Sequence, residues 1–106
     1  MSADMVQQMR RARSESIRWF LLVALNVARP AGTGTLILMS VIQASYTDAT
    51  EQEVRRELDY LEDRKLVSIT RDPLDRWQCE LTHYGVDIVE YTRDCFPGIA
   101  RPKITG

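Results

Sequence analysis

From Thr50 onwards, hydrophobic residues recur at the spacing of a helix that buries one side. The apolar positions follow one another at intervals of four and three residues: Val54, Leu58 and Leu61. Mostly charged and amide side chains occupy the positions between them. Thr50 is followed three residues later by Glu53, which is the spacing of a capping box at a helix start. The pattern predicts an amphipathic helix over about residues 50–64.

After Val67 the period of the hydrophobic pattern shortens to two. Val67 and Ile69 alternate with polar residues, and the same alternation resumes from Arg76 to Thr82. Between the two segments lies Asp72-Pro73-Leu74-Asp75, a sequence rich in turn-forming residues. These features predict an antiparallel hairpin over about residues 67–81.

Two more helices are predicted before this hairpin. Residues 14–29 are apolar on nearly every side, with Ser14 as the expected N-cap and Pro30 as the stop, so we interpret them as the central buried helix. Residues 36–44 form a second, short apolar helix. Residues 1–13 are predicted to be an N-terminal helix or arm, and residues 31–35 a loop.

The C-terminal part is predicted to contain a helix from Thr82 to about residue 94, which Pro97-Gly98 terminates. The last residues, 97–106, are expected to form a loose tail. The predicted fold class is therefore mainly α with a small antiparallel β-hairpin (α+β), in one domain over residues 14–96.

Composition is consistent with one globular domain, since the 106 residues are 44% hydrophobic and 27% charged. The longest apolar run, Trp19 to Leu25, is too short to span a bilayer, which takes about 20 residues. No secretory leader pattern is found at the N-terminus. We expect a cytoplasmic protein that does not contact membranes.

Residues with catalytic or metal-binding chemistry are few. Cys79 and His83 could donate two metal ligands, but no third is in view, and Cys79 shares its strand face with apolar neighbours. The glycines around Thr33 are too closely spaced for a phosphate-binding loop. We therefore expect no enzymatic activity, no cofactor and no metal site.

Two segments carry a resemblance to a known family. VRRELDYLEDRKLVSI resembles the recognition helix and first wing strand of winged helix-turn-helix domains, and CELTHYGVDIVEY resembles the second wing strand and last helix. Leu81, Thr82 and Gly85 match a Leu-Thr-x-x-Gly transition. The similarity covers about residues 14–94 and is closest to small bacterial or phage regulators of the ArsR and MarR type. Metal-sensing ArsR members carry a cysteine pair in this helix, which the present helix lacks, so metal sensing is not implied.

The resemblance implies a DNA-binding transcriptional regulator that uses double-stranded DNA as its partner. The helix over residues 50–64 would lie in the major groove, and the wing over residues 67–81 would touch the DNA backbone. The side chains implied to contact DNA are Thr47, Thr50, Gln52, Arg55, Arg56, Arg71 and Arg76. No small-molecule effector can be named from the sequence.

The excess of acidic residues around the predicted recognition helix leaves an alternative function open. Between Tyr46 and Lys65, seven acidic residues outnumber four basic ones, and the whole chain has a net charge of −1. Because phosphate neutralisation supplies most non-specific affinity for DNA, such a monomer should bind DNA weakly. The alternative is a winged-helix protein–protein interaction module without sequence-specific DNA binding.

The sequence also predicts a homodimer. Met5, Met9 and Ala12 share one helix face, and Tyr91 and Phe96 lie on or just after the last helix. Pairing through the N-terminal and C-terminal helices would place two recognition helices about 34 Å apart, one turn of DNA. These residues could instead complete the core of a monomer.

Overall fold

One long helix contacts the other three helices and the middle strand of the sheet. The computed structural model describes residues 2–104, which form four helices and a three-stranded antiparallel sheet, an α+β architecture. The elements in chain order are α1 (Ala3–Val27), β1 (Thr33–Gly34), α2 (Thr35–Gln43), α3 (Glu51–Asp63), β2 (Val67–Arg71), β3 (Trp77–Leu81) and α4 (His83–Val89). Within residues 2–104, no helix combines the length and apolar character required to cross a bilayer.

Helix α1 is continuous over 25 residues, so the predicted helix start at Ser14 is wrong. Its N-cap is Ser2, whose side chain accepts a hydrogen bond from the backbone N–H of Met5. Residues 2–13 are good helix formers and nothing at Ser14 breaks the backbone hydrogen bonding, so the arm and the central helix merge. One face of the C-terminal half is buried, and the opposite face remains exposed at Val23 and Val27.

Helix α3 begins where the sequence predicted, and its apolar face lies in the core. The Thr50 hydroxyl accepts from the backbone N–H of Glu53 at 3.1 Å. The Glu53 carboxylate does not complete the capping box, because it accepts two hydrogen bonds from Arg13 of α1. The fully buried residues contributed by α1, α2 and α3 are Ile17, Leu21, Leu22, Leu25, Leu38, Ile42, Val54, Leu58 and Leu61.

The predicted hairpin is confirmed, with β2 and β3 paired from Val67 opposite Leu81 to Arg71 opposite Trp77. A third strand was missed, because residues 31–35 were predicted to be a loop. In β1, Thr33 and Gly34 pair antiparallel with β3, so the sheet order is β1-β3-β2. Gly32 allows this approach, since its φ is 75° and a Cβ there would collide with the carbonyl oxygen of Cys79.

A buried ion pair joins α1 to α3. The Glu57 side chain is 1% exposed, and its Oε1 accepts a hydrogen bond from Arg18 Nε at 2.9 Å. Arg18 Nη1 also donates to the carbonyl oxygen of Gly98 at 2.9 Å, and its guanidinium lies 3.5 Å from the centroid of the Tyr60 ring. One arginine therefore connects α1, α3 and the C-terminal segment.

Helix α4 ends at Val89, five residues before the predicted end, and the chain then folds back over α1. Tyr91 follows with a φ of 63°, which is incompatible with a continuing helix. Ile99 is 5% exposed and belongs to the core, and the backbone N–H of Ala100 donates to the carbonyl oxygen of Glu15. The prediction of a loose tail is therefore wrong for residues up to Arg101, whose guanidinium donates to the Ile88 carbonyl oxygen.

Replacing Arg18 by alanine should lower the free energy of unfolding by about 3–5 kcal/mol, because it leaves a carboxylate buried without its main partner. Equilibrium unfolding in guanidinium chloride, followed by circular dichroism, measures the loss. The double variant Arg18→Met/Glu57→Met is expected to recover most of it, since no charge remains to be buried. A loss below about 1 kcal/mol in the single variant would contradict the structural role of the pair.

Ile99→Ala should lower the free energy of unfolding by about 2–4 kcal/mol, because it opens a cavity where the C-terminal segment enters the core. The matched control is Ile104→Ala, since Ile104 is an exposed residue of the same type. The control should change stability by less than about 0.5 kcal/mol. Equal effects of the two substitutions in the same unfolding assay would refute the packed C-terminal segment.

Candidate binding surface of α3 and the hairpin

The outer face of α3, the α2–α3 link and the β2–β3 hairpin form one surface, called here the α3–hairpin surface. All side chains implied by sequence to contact DNA lie on it. At the start of α3, Thr47, Thr50 and Gln52 are exposed. The Thr50 hydroxyl is engaged as the helix cap and retains its own proton for donation.

Arg55 is held between α3 and the hairpin. Its Nη1 lies 2.7 Å from Asp75 Oδ2, and its Nε lies 3.3 Å from Glu51 Oε1. The guanidinium also stacks 4.5 Å from the centroid of the Trp77 ring, and the side chain is only 20% exposed. This arginine therefore fixes the hairpin against α3 rather than extending into solvent.

Arg71 makes the equivalent connection from the hairpin side. Its Nη2 lies 3.0 Å from Asp59 Oδ1 and 3.1 Å from Glu62 Oε1 of α3. Hydrogen bonding to Glu62 raises the pKa of Arg71. Its guanidinium lies 4.3 Å from the Trp77 ring centroid, so two arginines contact the same indole.

The remaining two arginines differ in how closely a carboxylate pairs with them. Arg76 Nε pairs with Asp72 Oδ2 at 2.7 Å within the turn of the hairpin. Arg56 is 66% exposed, and its nearest carboxylate oxygen is Glu57 Oε2 at 3.6 Å. Of the predicted DNA-contacting arginines, Arg56 is the one whose charge is most available to a ligand.

Carboxylates set the electrostatic character of the surface. Arg76 lowers the pKa of Asp72 by backbone and side-chain hydrogen bonds, and the Arg55 guanidinium lowers the pKa of Asp75. Both aspartates are therefore ionised at neutral pH. Further exposed carboxylates of α3 are Glu51, Asp59 and Asp63. The surface has an excess of carboxylate because Arg55 and Arg71 each face two acidic side chains, whereas Arg56 contributes one exposed positive charge.

A cleft of about 690 Å³ opens between the N-terminus of α2, α3 and the hairpin. Its apolar lining consists of Leu36, Ile37, Leu74 and Trp77. Its charged lining consists of Glu51, Arg55, Asp72, Asp75 and Arg76. Sequence analysis missed this cleft because β1 and the orientation of α2 were not foreseen. The available signal was Leu74, an apolar residue at the centre of an otherwise polar turn.

The two cysteines and the histidine lie outside this cleft. Cys79 is fully buried in β3, and burial raises the pKa of its thiol to about 11. His83 is exposed and stacks on Tyr84, with 4.0 Å between ring centroids. Over residues 2–104, no cluster of three or more histidine, cysteine or acidic side chains has an arrangement suited to a metal ion.

Replacing Arg55 by alanine should raise the pKa of Asp75 from its lowered value towards 3.8, since the largest cause of the shift is lost. In the unmodified protein, this carboxylate stabilises the fold above pH 3.8, and the contribution disappears as the pH falls through the lowered pKa. Side-chain carbonyl shifts in an NMR titration report both values. The pKa of Asp72 serves as the control, because Arg76 and not Arg55 lowers it. An unchanged Asp75 titration would exclude the Arg55 contact.

Comparison with known proteins adds no family assignment. No protein-family model matches the chain, and no curated protein matches it with significant similarity. The basis for assigning a function is therefore the geometry and charge of the α3–hairpin surface.

Proposed function

We propose that the chain is a winged-helix domain, in which α2 and α3 form the helix-turn-helix and the β2–β3 hairpin forms the wing. The order α1-β1-α2-α3-β2-β3 supports this assignment, as does the pairing of β1 with β3 in the same sheet as the hairpin. The amphipathic α3 packs against both α1 and α2 and leaves its polar face outward, as a recognition helix does.

We further propose that this domain is a protein-interaction module, and that its α3–hairpin surface binds a peptide segment carrying apolar and basic side chains. The observation that carries the proposal is the neutralisation of the arginines that a DNA-reading surface would need. Arg55, Arg71 and Arg76 are each paired with carboxylates of the same surface.

Binding DNA through this surface would be unfavourable for a definite electrostatic reason. Each paired arginine would have to exchange a carboxylate partner for a phosphate, so little net Coulomb energy would be gained. The released carboxylates would then face the phosphate backbone, and contacts between like charges cost affinity. Arg56 alone would supply far less than the several phosphate contacts on which DNA affinity usually depends.

The cleft has the properties of a peptide-binding groove. Leu36, Ile37 and Leu74 offer apolar contact area, and Trp77 offers a large aromatic surface. Three carboxylates and two guanidinium groups surround them, which favours a ligand with positive charge. A segment that combines leucine or phenylalanine with lysine or arginine would match both properties.

A second candidate function is DNA-binding transcriptional regulation, which the exposure of Gln52 and Arg56 favours. These residues are four positions apart on α3, so they lie on the same side of the helix. Glutamine and arginine have the side chains that recognise adenine and guanine edges in the major groove. The hydroxyls of Thr47 and Thr50 lie near the same helix end and could donate to phosphates.

Parallel selections from a peptide-display library and from random DNA duplexes should distinguish the two functions. We expect enrichment of basic, apolar-containing peptides and no enriched duplex sequence. Leu74→Asp should weaken the binding of the selected peptides at least about tenfold, because it places a charge in the apolar part of the cleft. The matched control is Ile104→Asp, the same change at an exposed residue outside the cleft.

The opposite pattern would establish the second candidate. Enrichment of one duplex sequence, with binding lost in Arg56→Ala and kept in Leu74→Asp, would refute the interaction module. Fluorescence anisotropy at several salt concentrations provides both affinities and the number of phosphate contacts.

A further inference from the structure

Helix α2 begins at the cleft of the α3–hairpin surface, and no side chain among residues 2–104 caps its start. Its N-cap is Gly34, whereas α1, α3 and α4 are each capped by a serine or threonine hydroxyl. The backbone N–H groups in the first turn of a helix have no acceptor within that helix. Those of Leu36 and Ile37 are therefore available to an acceptor in the cleft, which both residues line.

Thr35, the first residue of α2, adds a buried hydroxyl to this end of the cleft. The residue is 6% exposed and belongs to the cleft lining. Its Oγ1 has no hydrogen-bond partner in the part of the chain that the structure describes. A buried polar group without a partner is unfavourable, and folded proteins contain few of them. Because no hydrogen bond fixes the hydroxyl, rotation about χ1 can direct it to a ligand.

Arg55 brings a second unpartnered donor to the cleft from α3. Its Nη1 and Nη2 donate to Asp75, but its Nε is buried and makes no hydrogen bond. The 3.3 Å contact of this Nε with Glu51 Oε1 is an ion pair without hydrogen-bond alignment. Three buried side-chain polar atoms lack a partner within residues 2–104, and two of them belong to residues that line this cleft. Unpartnered donors are thus concentrated where a ligand would bind.

We propose that the N-terminus of α2 binds a carboxylate of the peptide ligand, an assignment that rests on the peptide-binding function proposed above. The carboxylate accepts hydrogen bonds from the N–H groups of Leu36 and Ile37 and from the Thr35 hydroxyl. These donors exceed the two lone pairs of a carbonyl oxygen but fit the roughly four lone-pair sites of a carboxylate. The positive end of the α2 dipole and the guanidinium of Arg55 favour a negatively charged group.

The acidic side chains of the cleft determine how such a ligand is oriented. Asp72 and Asp75 of the hairpin each lie 2.7 Å from an arginine nitrogen, and Glu51 shares Arg55 with Asp75. The lining residues of the α2 end, 34–37, carry no charge. A carboxylate is therefore repelled least at α2, while basic side chains of the same ligand are attracted to the hairpin. The ligand carries its carboxylate at one end and its basic residues at the other.

Small probes titrated into the full chain test the carboxylate site without the rest of the ligand. N-acetyl-leucine has a terminal carboxylate, the α-amide of N-acetylglutamate has a side-chain carboxylate, and N-acetyl-leucinamide has none. We expect at least one carboxylate probe to shift the backbone amide NMR signals of Leu36 and Ile37 with a dissociation constant of about 1–10 mM. N-acetyl-leucinamide should bind at least about tenfold more weakly. The stronger carboxylate probe identifies a chain terminus or an acidic side chain as the source.

Thr35→Val tests the hydroxyl, because it removes the oxygen with little change in side-chain shape. It should weaken the binding of the stronger carboxylate probe at least about threefold. The melting temperature should stay the same or rise, since Oγ1 has no hydrogen bond to lose. Thr35→Ser keeps the hydroxyl and should keep the affinity. The matched control is Thr47→Val, the same change at an exposed residue outside the cleft lining.

Several results would overturn the carboxylate site. They are equal shifts from N-acetyl-leucine and N-acetyl-leucinamide, no saturable shift from either carboxylate up to about 100 mM, and an unchanged affinity in Thr35→Val. Stronger shifts of the same signals by inorganic phosphate would also overturn it, in favour of a nucleic-acid backbone. The peptide-binding function is judged separately, because the probes carry no basic side chain and the selections with Leu74→Asp leave α2 unchanged.

Discussion

The ion pair between Arg18 and Glu57 is the interaction on which the arrangement of the helices depends. A carboxylate that is 1% exposed can be tolerated only with a partner, and the partner here comes from a different helix. The same guanidinium donates to the carbonyl oxygen of Gly98 and lies on the Tyr60 ring. The position of α3 against α1 and the return of the C-terminal segment are therefore coupled through one side chain. An apolar pair could fill this volume, but it would lack the hydrogen bond from Arg18 to the Gly98 carbonyl oxygen.

Pairing of arginines with carboxylates also decides the character of the α3–hairpin surface. Arg55 and Arg71 approach Trp77 from α3 and from the hairpin, and each is held by acidic residues. These contacts fix the hairpin on α3. They also neutralise the positive charge that would otherwise be available to bind DNA phosphates. The surface that remains combines an apolar cleft with excess carboxylate, which is why we favour a basic peptide over a phosphate backbone as its ligand.

The proposed ligand surface and the core contact of α1 lie on different parts of the fold. The α3–hairpin surface is polar and contains an apolar cleft, as suits a partner that binds and dissociates. Helix α1 contributes no residue to the lining of that cleft. It supports the surface from behind, because its buried face positions α3 through Arg18 and Glu57.

Local patterns in the sequence were sufficient to predict α3 and the hairpin, because each of their signals acts over a few residues. Thr50 caps α3 through the backbone of Glu53, and the turn at Asp72 joins two strands that are adjacent in the chain. Charge imbalance around α3 could likewise be read from the residues alone. Three features could not: the merging of the arm with the central helix, the strand at Thr33, and the burial of Ile99. Each depends on a distant segment, such as β3 for Thr33. The roles of individual arginines were also decided only by the tertiary structure, because the same side chain is a ligand contact when exposed and a structural connection when a carboxylate from another element reaches it.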